Sequence, residues 1–142
     1  MKYVVFDMDG TLSIVGDRLK HLKNKDWDSF YKACDEDKIN TPVVSVFKAM
    51  RDAGHPIKIV TGRVESVRMK THQWLYDNGM YILSSDIHMR KDGDYRHDVV
   101  VKPELVAAFA DSISMVFEDR ASMVNKWREM GIPCFQVAEG DF

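Results

Sequence analysis

The chain has 142 residues, of which 45% are hydrophobic and 30% are charged, and its formal net charge is −2. These values are typical of one soluble globular domain, and they exclude an overall positive field for nucleic acid. No stretch approaches the roughly 20 apolar residues of a membrane helix, and an apolar strand begins almost at once, so we expect neither a membrane span nor a signal peptide. Cys34 and Cys134 lie far apart without metal-ligand spacing, which predicts reduced thiols in a cytoplasmic protein.

Apolar and amphipathic segments alternate along the first half of the chain. The uncharged run YVVF at residues 3–6 predicts a strand that is buried on both faces. A short helix is then predicted from four residues at the spacing i, i+3, i+4 and i+7, namely Trp27, Phe30, Tyr31 and Cys34. The pair Thr41-Pro42 predicts the start of a longer helix, with the threonine as N-cap, and Gly54 predicts its end.

The second half of the chain continues the alternation. Residues 56–60 predict the second strand, residues 64–78 a helix, and residues 81–83 a short strand before an irregular excursion or small hairpin over 84–98. The later elements are predicted as a helix over 103–110, a strand over 114–117, a helix over 121–130 and a last strand over 134–137. Strands that alternate with such helices favour an α/β fold with a parallel sheet, whose ligands bind at the carboxyl ends of the strands.

Polar side chains follow three of the predicted strands. They are Asp7 and Asp9, Thr61 and Arg63, and Glu118 and Asp119. Because strand ends of this kind meet at one edge of a parallel sheet, we expect these residues to share one site. Asp7 and Asp9 project to the same side of the chain and repel each other unless a cation or a shared proton intervenes. The pattern predicts a nucleophile assisted by Mg²⁺ beside an acid or base.

Four motifs in order, VVFDMDGTL, IVTGR, Lys102 and FEDR, resemble those of the haloacid dehalogenase-like phosphatase superfamily. Over nearly the whole chain the sequence is also similar to the 3′-phosphatase domains of bacteriophage polynucleotide kinase/phosphatases, through DGTL with Arg18 downstream, DYRHDVVVK, EDR and the ending CFQVAEGDF. The resemblance implies a Rossmann-like three-layer sandwich with a parallel sheet, in one domain over residues 1–142. Residues 13–40 are too few for a full cap domain, and the phosphate loop of a kinase does not occur in the sequence.

The resemblance also implies roles for individual residues. Asp7 is the implied nucleophile, which forms an aspartyl-phosphate, and Asp9 the implied acid and base. Mg²⁺ is the implied cofactor, held by a carboxylate oxygen of Asp7, the backbone carbonyl of Asp9 and the carboxylate of Asp119. Glu118 stands where the relatives often have aspartate, so its place is open between a contact through water and a position outside the metal ligands.

Further residues match positions around the phosphate of the substrate. Thr61 and Lys102 match those that hold the transferred phosphoryl group, with Lys91 as a nearby competitor for the lysine's role. The backbone N–H groups of Gly10 and Thr11 can complete the phosphate cradle. Other substrate-binding residues are predicted at Arg18, Gly62, Arg63, Arg96 and Asp98. Arginines from three separate segments suit a second phosphate, such as the backbone phosphate next to a terminal 3′-phosphate.

These patterns together predict an enzyme that hydrolyses phosphomonoesters with Mg²⁺, on a 3′-phosphate end of DNA or RNA or on a nucleotide. A small-molecule phosphatase stays open and is mildly favoured by the pI of about 6.2. A haloacid dehalogenase and a non-catalytic binding module on the same fold stay open as well. The presence of Asp7, Asp9, Lys102 and Asp119 disfavours the binding module. The aromatic residues of the short helix are interpreted as core rather than as a base-stacking platform. The oligomeric state stays open.

Overall fold

A five-stranded parallel sheet lies at the centre of the molecule. The computed structural model describes residues 2–140. In chain order its strands and α-helices are β1 (Tyr3–Phe6), β2 (Ser13–Ile14), α1 (Trp27–Lys32), β3 (Lys38–Ile39), α2 (Thr41–Asp52), β4 (Ile57–Val64), α3 (Arg68–Asp77), β5 (Ile87–Arg90), α4 (Asp98–Val106), β6 (Ile113–Glu118), α5 (Ala121–Glu129) and β7 (Cys134–Gln136). The strands of the sheet run in the order β5-β4-β1-β6-β7, and every neighbouring pair is parallel.

Two hydrophobic cores flank the sheet. Val4 and Phe6 of β1 pack on one face, where Phe47 of α2 and Leu75 of α3 cover them. Val5 points to the opposite face, into a core closed by helices α4 and α5. Since both faces of β1 are covered by helices, its residues are apolar at successive positions, which explains the uncharged run at the start of the chain. The sheet with helices on both faces confirms the predicted three-layer α/β sandwich.

Residues 13–40 form a small excursion from the sheet rather than a cap domain. It contains a 3₁₀ helix (Asp17–Asn24), α1 and a second 3₁₀ turn (Cys34–Glu36), and the antiparallel pair of β2 and β3 closes its base. Phe30 and Cys34 are buried there, and Cys34 belongs to the same core as β1. The two-residue strands β2 and β3 were not predicted, since they are too short for an alternating pattern.

The prediction for residues 81–98 was wrong in its details. No strand forms over 81–83. The strand is β5, inside the segment predicted as irregular, and it pairs with β4 through Ile87 and Met89. Both of these residues are buried, but two apolar side chains in four residues give a weak signal. Helix α4 begins at Asp98 rather than at residue 103, and it contains Pro103.

The remaining helices and strands lie where they were predicted, to within a few residues. Asn40, rather than Thr41, precedes the first turn of α2, and its side-chain amide donates to the Thr11 carbonyl. Both cysteines are buried free thiols, as expected. Within residues 2–140, every helix falls short of the length and hydropathy that a membrane span requires.

Candidate active site

The carboxyl end of β1 places Asp7 between two neighbouring strands. The backbone N–H of Asp7 donates to the Phe117 carbonyl of β6. The chain then turns at Gly10, whose φ of 84° lies in the left-handed region that favours glycine. A Cβ at Gly10 would overlap the Asp119 carboxylate, so glycine is also needed for this close approach. The turn brings the Thr11 hydroxyl within 3.2 Å of Asp7 Oδ2 and 3.3 Å of Asp119 Oδ1.

Three carboxylates cluster at this edge of the sheet. Oxygen atoms of Asp7, Glu118 and Asp119 lie within 4.8 Å of one another, and all three residues are buried. Burial and the charge of Glu118 outweigh the attraction of Lys102 and raise the pKa of Asp7 to about 8. Burial and the charge of Asp7 raise the pKa of Asp119 to about 7. Three ionised carboxylates would therefore exceed the charge of Lys102, and a proton or a bound cation would relieve their repulsion.

Lys102 is the cation inside this cluster. It projects from α4, is 1% exposed, and its Nζ lies 2.8 Å from both Asp7 Oδ1 and Glu118 Oε2. Burial alone would lower the pKa of Lys102, but Asp7 and Glu118 raise it above its ordinary value. The competing residue Lys91 is exposed. Lys102, and not Lys91, is therefore the lysine that contacts the carboxylate of Asp7.

The donor set of the cluster fits a hard divalent cation. Oxygen ligands suit Mg²⁺ or Mn²⁺ better than Zn²⁺, and a divalent cation would offset the repulsion between the ionised carboxylates. Asp7 and Asp119 are the residues that would hold it. Glu118 is engaged elsewhere, because one oxygen accepts from Lys102 and the other from the backbone N–H of Asp119. Its contacts fit a role in positioning the lysine.

Asp9 lies between two buried arginines. Its Oδ1 accepts from Arg63 Nε at 3.0 Å, from Arg63 Nη2 at 2.7 Å and from Arg18 Nη2. Asp37 accepts from Arg18 Nε at 2.9 Å and from its Nη2 at 2.8 Å, and lies 3.5 Å from Arg63 Nη2. Burial alone would raise the pKa of Asp9, but the two guanidinium groups outweigh it and lower that pKa to about 2. Asp9 is therefore ionised in the substrate-free protein.

The arginines predicted to bind substrate thus have protein partners. Arg63 is fully buried, and Arg18 packs its guanidinium over the Phe30 ring at 4.3 Å. Arg96 has a half-exposed side chain that pairs with Asp94 and Glu104 at the rim of the cleft. A direct contact of any of these arginines with a substrate phosphate stays a prediction.

Thr61 and Gly62 lie in β4, where the regular pairing of this strand with β5 is interrupted after Thr61. Thr61 is buried, and its hydroxyl oxygen accepts from the backbone N–H of Arg63 at 3.1 Å, so its proton can point into the cleft. A Cβ at Gly62 would come too close to the Asp98 carboxylate. Asp98 pairs with Arg90 and lies 3.4 Å from Arg120 and 3.9 Å from Lys102. Gly62 therefore allows the start of α4 to approach the site.

Arg90 and Asp37 take part in this network but were not predicted as site residues. Arg90, at the end of β5, donates to the Gly62 carbonyl, to the Arg96 carbonyl and to Asp98. A basic residue at a strand end was the available signal, but the strand was placed several residues too early. Nothing in the sequence marked Asp37 as a site residue, since it lies within residues 13–40 and outside every motif.

A cleft of about 760 Å³ opens over the cluster. Its floor includes Asp7, Asp9, Thr61 and Asp119, and its walls include aromatic residues of the excursion. The interpretation of these aromatic side chains as core is right for Phe30, which is buried, and wrong for Trp27, which is 41% exposed and lines the cleft.

The chain is similar to proteins of known family. The model of the polynucleotide kinase PNKP phosphatase domain matches residues 1–142. A chain in a structure of the Pnkp1/Rnl/Hen1 complex is 33% identical, with a TM-score of 0.81, and the match covers 99% of this chain and 47% of that one. A chain in a structure of the Pnkp1/Rnl/Hen1 RNA repair complex is also 33% identical, with a TM-score of 0.85, over 99% of this chain and 43% of that one.

A more distant likeness supports the fold. A HAD hydrolase from Entamoeba histolytica is 14% identical, with a TM-score of 0.65, over 94% of this chain and 82% of that one. The chain spans less than half the length of the two chains from Pnkp1 complexes. With its five-stranded parallel sheet and its carboxylate cluster at the strand ends, the chain belongs to the family of polynucleotide kinase/phosphatase phosphatase domains, which have the HAD-like fold.

Proposed function

We propose that this chain is a Mg²⁺-dependent phosphatase that removes 3′-phosphates from polynucleotide ends through a phosphorylated Asp7. The observation that carries the proposal is the cluster in which Lys102 Nζ lies 2.8 Å from Asp7 Oδ1, beside Asp119 and below an open cleft. Membership of the PNKP phosphatase family supports the reaction class.

In the proposed first step, Asp7 acts in its ionised form, which a cation bound beside it would favour over the protonated form. One of its carboxylate oxygens attacks the phosphorus, and the bond from phosphorus to the 3′ oxygen breaks. Asp9 gives a proton to the departing oxygen. Since Asp9 is ionised without substrate, this role requires it to take up a proton when substrate binds. A Mg²⁺ ion held by Asp7, Asp119 and the Asp9 carbonyl would offset the negative charges that the step brings together.

In the second step, Asp9 takes a proton from a water molecule, which attacks the phosphorus of phospho-Asp7. Inorganic phosphate leaves, and the Asp7 carboxylate is restored. Lys102 and the Thr61 hydroxyl bind the oxygens of the transferred group in both steps, and Glu118 keeps the lysine in place. The backbone N–H groups of Gly10 and Thr11 lie in the turn beside them.

The width of the site favours a large substrate. Residues 13–40 leave the cleft open, and the cleft of about 760 Å³ exceeds what a phosphate alone needs. The Pnkp1 proteins that resemble this chain belong to an RNA repair complex, which supports a polynucleotide end. The net charge of −2 and the protein partners of Arg18 and Arg63 favour the second candidate, a phosphatase of small molecules.

A phosphate-release panel tests the proposal. The substrates are a 3′-phosphorylated oligonucleotide, the same oligonucleotide with a 5′-phosphate, 3′- and 5′-mononucleotides, and sugar phosphates. We expect the highest kcat/KM on the 3′-phosphorylated oligonucleotide, and no turnover by Asp7→Asn on any substrate. Higher kcat/KM on mononucleotides or sugar phosphates than on the oligonucleotide would overturn the polynucleotide assignment in favour of the second candidate.

A further inference from the structure

We propose that Trp27 and Tyr95 form a stacking subsite for the nucleobase of the terminal nucleotide, the one that carries the 3′-phosphate. This inference rests on the proposed function and names the part of the substrate that the cleft holds beyond the phosphate. It corrects the expectation from the sequence, in which Trp27 belonged to the core.

An aromatic ladder connects the phosphate site with the outer part of the cleft. The Tyr31 hydroxyl donates to the Gly62 carbonyl at 3.2 Å, beside the predicted phosphate-binding Thr61. The Trp27 ring stacks on Tyr31 with centroids 6.0 Å apart and planes at 28°. The Phe30 ring meets Trp27 edge-on at 5.7 Å. Tyr31 therefore lies between Gly62 and the indole of Trp27, and the contacts of these rings fix the position of the indole.

The indole of Trp27 is available to a ligand. The other two tryptophans, Trp74 and Trp127, are buried, whereas Trp27 is 41% exposed and lines the cleft. Its helix is also anchored, because the side chain of Asp26 caps α1 by accepting from the backbone N–H of Ser29 at 3.1 Å. A large apolar ring that is fixed and partly exposed to water favours binding of a flat ligand, because the ligand removes the ring from water and stacks on it.

Tyr95 supplies a second ring from another part of the chain. It lies in the loop between β5 and α4, is 77% exposed, and lines the same cleft. Trp27 and Tyr95 also line a second recess of about 270 Å³, so the two rings lie at the rim where the two spaces adjoin. Arg90 holds the loop by donating to the carbonyls of Asp94 and Arg96.

A nucleobase matches this pair of rings by its chemistry. It is flat, it has an aromatic face, and it is joined through the sugar to the phosphate that occupies the floor of the cleft. Stacking on aromatic side chains tolerates all four bases, since each offers a π-face. The subsite would therefore distinguish a nucleotide end from a sugar phosphate without reading the sequence of the strand.

The test compares two single-stranded oligonucleotides with a 3′-phosphate, one ending in a normal nucleotide and one in an abasic tetrahydrofuran residue. The measured quantity is the ratio of kcat/KM on the normal end to kcat/KM on the abasic end. Stacking of one base predicts a ratio of about 5 to 150 in the wild type. The ratio should fall toward one in Trp27→Ala, fall in part in Tyr95→Ala, and be largely kept in Trp27→Phe.

Tyr76→Ala is the matched control, because Tyr76 is exposed and packs on Tyr81 outside the cleft. It should keep the wild-type ratio. A wild-type ratio near one, with good turnover of both oligonucleotides, would overturn the subsite but leave the proposed function intact. Turnover of sugar phosphates without turnover of either oligonucleotide would overturn the proposed function itself. Equal losses on both ends in Trp27→Ala would also contradict the subsite.

Binding gives a second readout that does not depend on turnover. In an Asp7→Asn background, tryptophan fluorescence should be quenched more by the normal oligonucleotide than by the abasic one, since a stacked base contacts the exposed indole. The difference should disappear when Trp27→Phe is added. A difference that persists in this double variant would place the base elsewhere and contradict the proposal.

Discussion

The carboxylate of Asp9 is held by the buried guanidinium groups of Arg18 and Arg63. The carboxylate of Asp37 accepts a further hydrogen bond from Arg18. From the sequence, these arginines were expected to bind a second phosphate of the substrate. In the structure both arginines contact Asp9, the proposed acid and base. Since Asp9 would act on every substrate, the loss of either arginine should affect all substrates in a similar way.

Arg63→Lys tests this role. Arginine makes two hydrogen bonds to Asp9 and one to the Thr71 hydroxyl, and the single ammonium of lysine cannot reproduce that fork. Loss of one charge-assisted bond costs about 1.5–3 kcal/mol, so kcat/KM should fall about 10- to 150-fold. We expect equal falls on a 3′-phosphorylated oligonucleotide and on p-nitrophenyl phosphate. A fall confined to the oligonucleotide would instead assign Arg63 to a substrate phosphate.

Arg68→Lys is the control for this measurement. Arg68 also forms a fork, with both oxygens of Glu65 at 2.8 Å, and donates to the Ser84 carbonyl, but it lies outside the cleft. Its replacement should leave kcat/KM within about twofold of the wild type, since Arg68 lies outside the cleft that would hold the substrate.

At the level of single residues, the motifs led to the right place. Asp7, Glu118 and Asp119 were expected at one site because they follow strands that end at the same edge, and their oxygens do lie together. Their partners were harder to find. Asp37 comes from a short irregular turn, and Arg90 from a strand with a weak apolar pattern, so neither had a motif or a periodicity to mark it.

Helix α4 is fixed at its N-terminus by Asp98, which joins three elements. Its carboxylate pairs with Arg90 of β5, with Arg120 next to α5 and with Lys102 of its own helix. Burial alone would raise the pKa of Asp98, but Lys102, Arg120 and Arg90 outweigh it and lower that pKa. Because the folded pKa lies below the unfolded value, the stabilisation is present above the unfolded pKa and is lost as the pH falls through the folded pKa.

Asp98→Asn should therefore destabilise the protein by about 3 kcal/mol at neutral pH, because it leaves buried cations without their shared carboxylate. The difference from the wild type should shrink as the pH falls below about 4, where the Asp98 carboxyl of the unfolded chain takes up a proton while that of the folded protein is still ionised. Urea denaturation at a series of pH values measures this. Asp52→Asn, at an exposed carboxylate, is the control and should change stability little. A destabilisation by Asp98→Asn that does not vary with pH would contradict the ionic role.

At the level of elements, the periodicity of apolar residues predicted the long helices correctly and missed the short strand β5. Helices α2, α3 and α5 have several turns with a buried stripe, and all three were predicted. Strand β5 has only Ile87 and Met89 as buried apolar residues, and the more apolar residues 81–83 attracted the prediction instead. The start of helix α4 was predicted at residue 103, but the side chain of His97 caps the helix and it begins at Asp98, with Pro103 inside it.

At the scale of the whole molecule, the uneven distribution of charge has a thermodynamic consequence. The protein is almost neutral overall, yet Asp7, Glu118 and Asp119 are buried together with Lys102 as their close cation. A cation that binds the folded protein and not the unfolded chain stabilises the fold by mass action. The proposed cofactor should therefore be visible in stability as well as in activity.

Mg²⁺ at about 100 times its Kd should raise the Tm of the wild type by about 5–10 °C. Asp119→Asn removes one of the two carboxylates that would hold the ion, so it should lose most of this shift. Asp111→Asn, at an exposed position, should keep it. The Tm of all three proteins is measured by thermal unfolding, once with Mg²⁺ and once with EDTA in its place. A wild-type Tm that does not respond to Mg²⁺, or an equal response of Asp119→Asn, would count against the metal assignment.

The most direct test of the proposed mechanism is to trap the phosphoryl group on the protein. A 3′-phosphorylated oligonucleotide labelled in its terminal phosphate is mixed with excess protein and Mg²⁺, quenched in acid within one turnover and digested for mass spectrometry. We expect a labelled peptide that contains Asp7, labelled at that residue, and no labelled protein with Asp7→Asn. Release of labelled phosphate with no phosphorylation of Asp7 at any time in the turnover would contradict the mechanism.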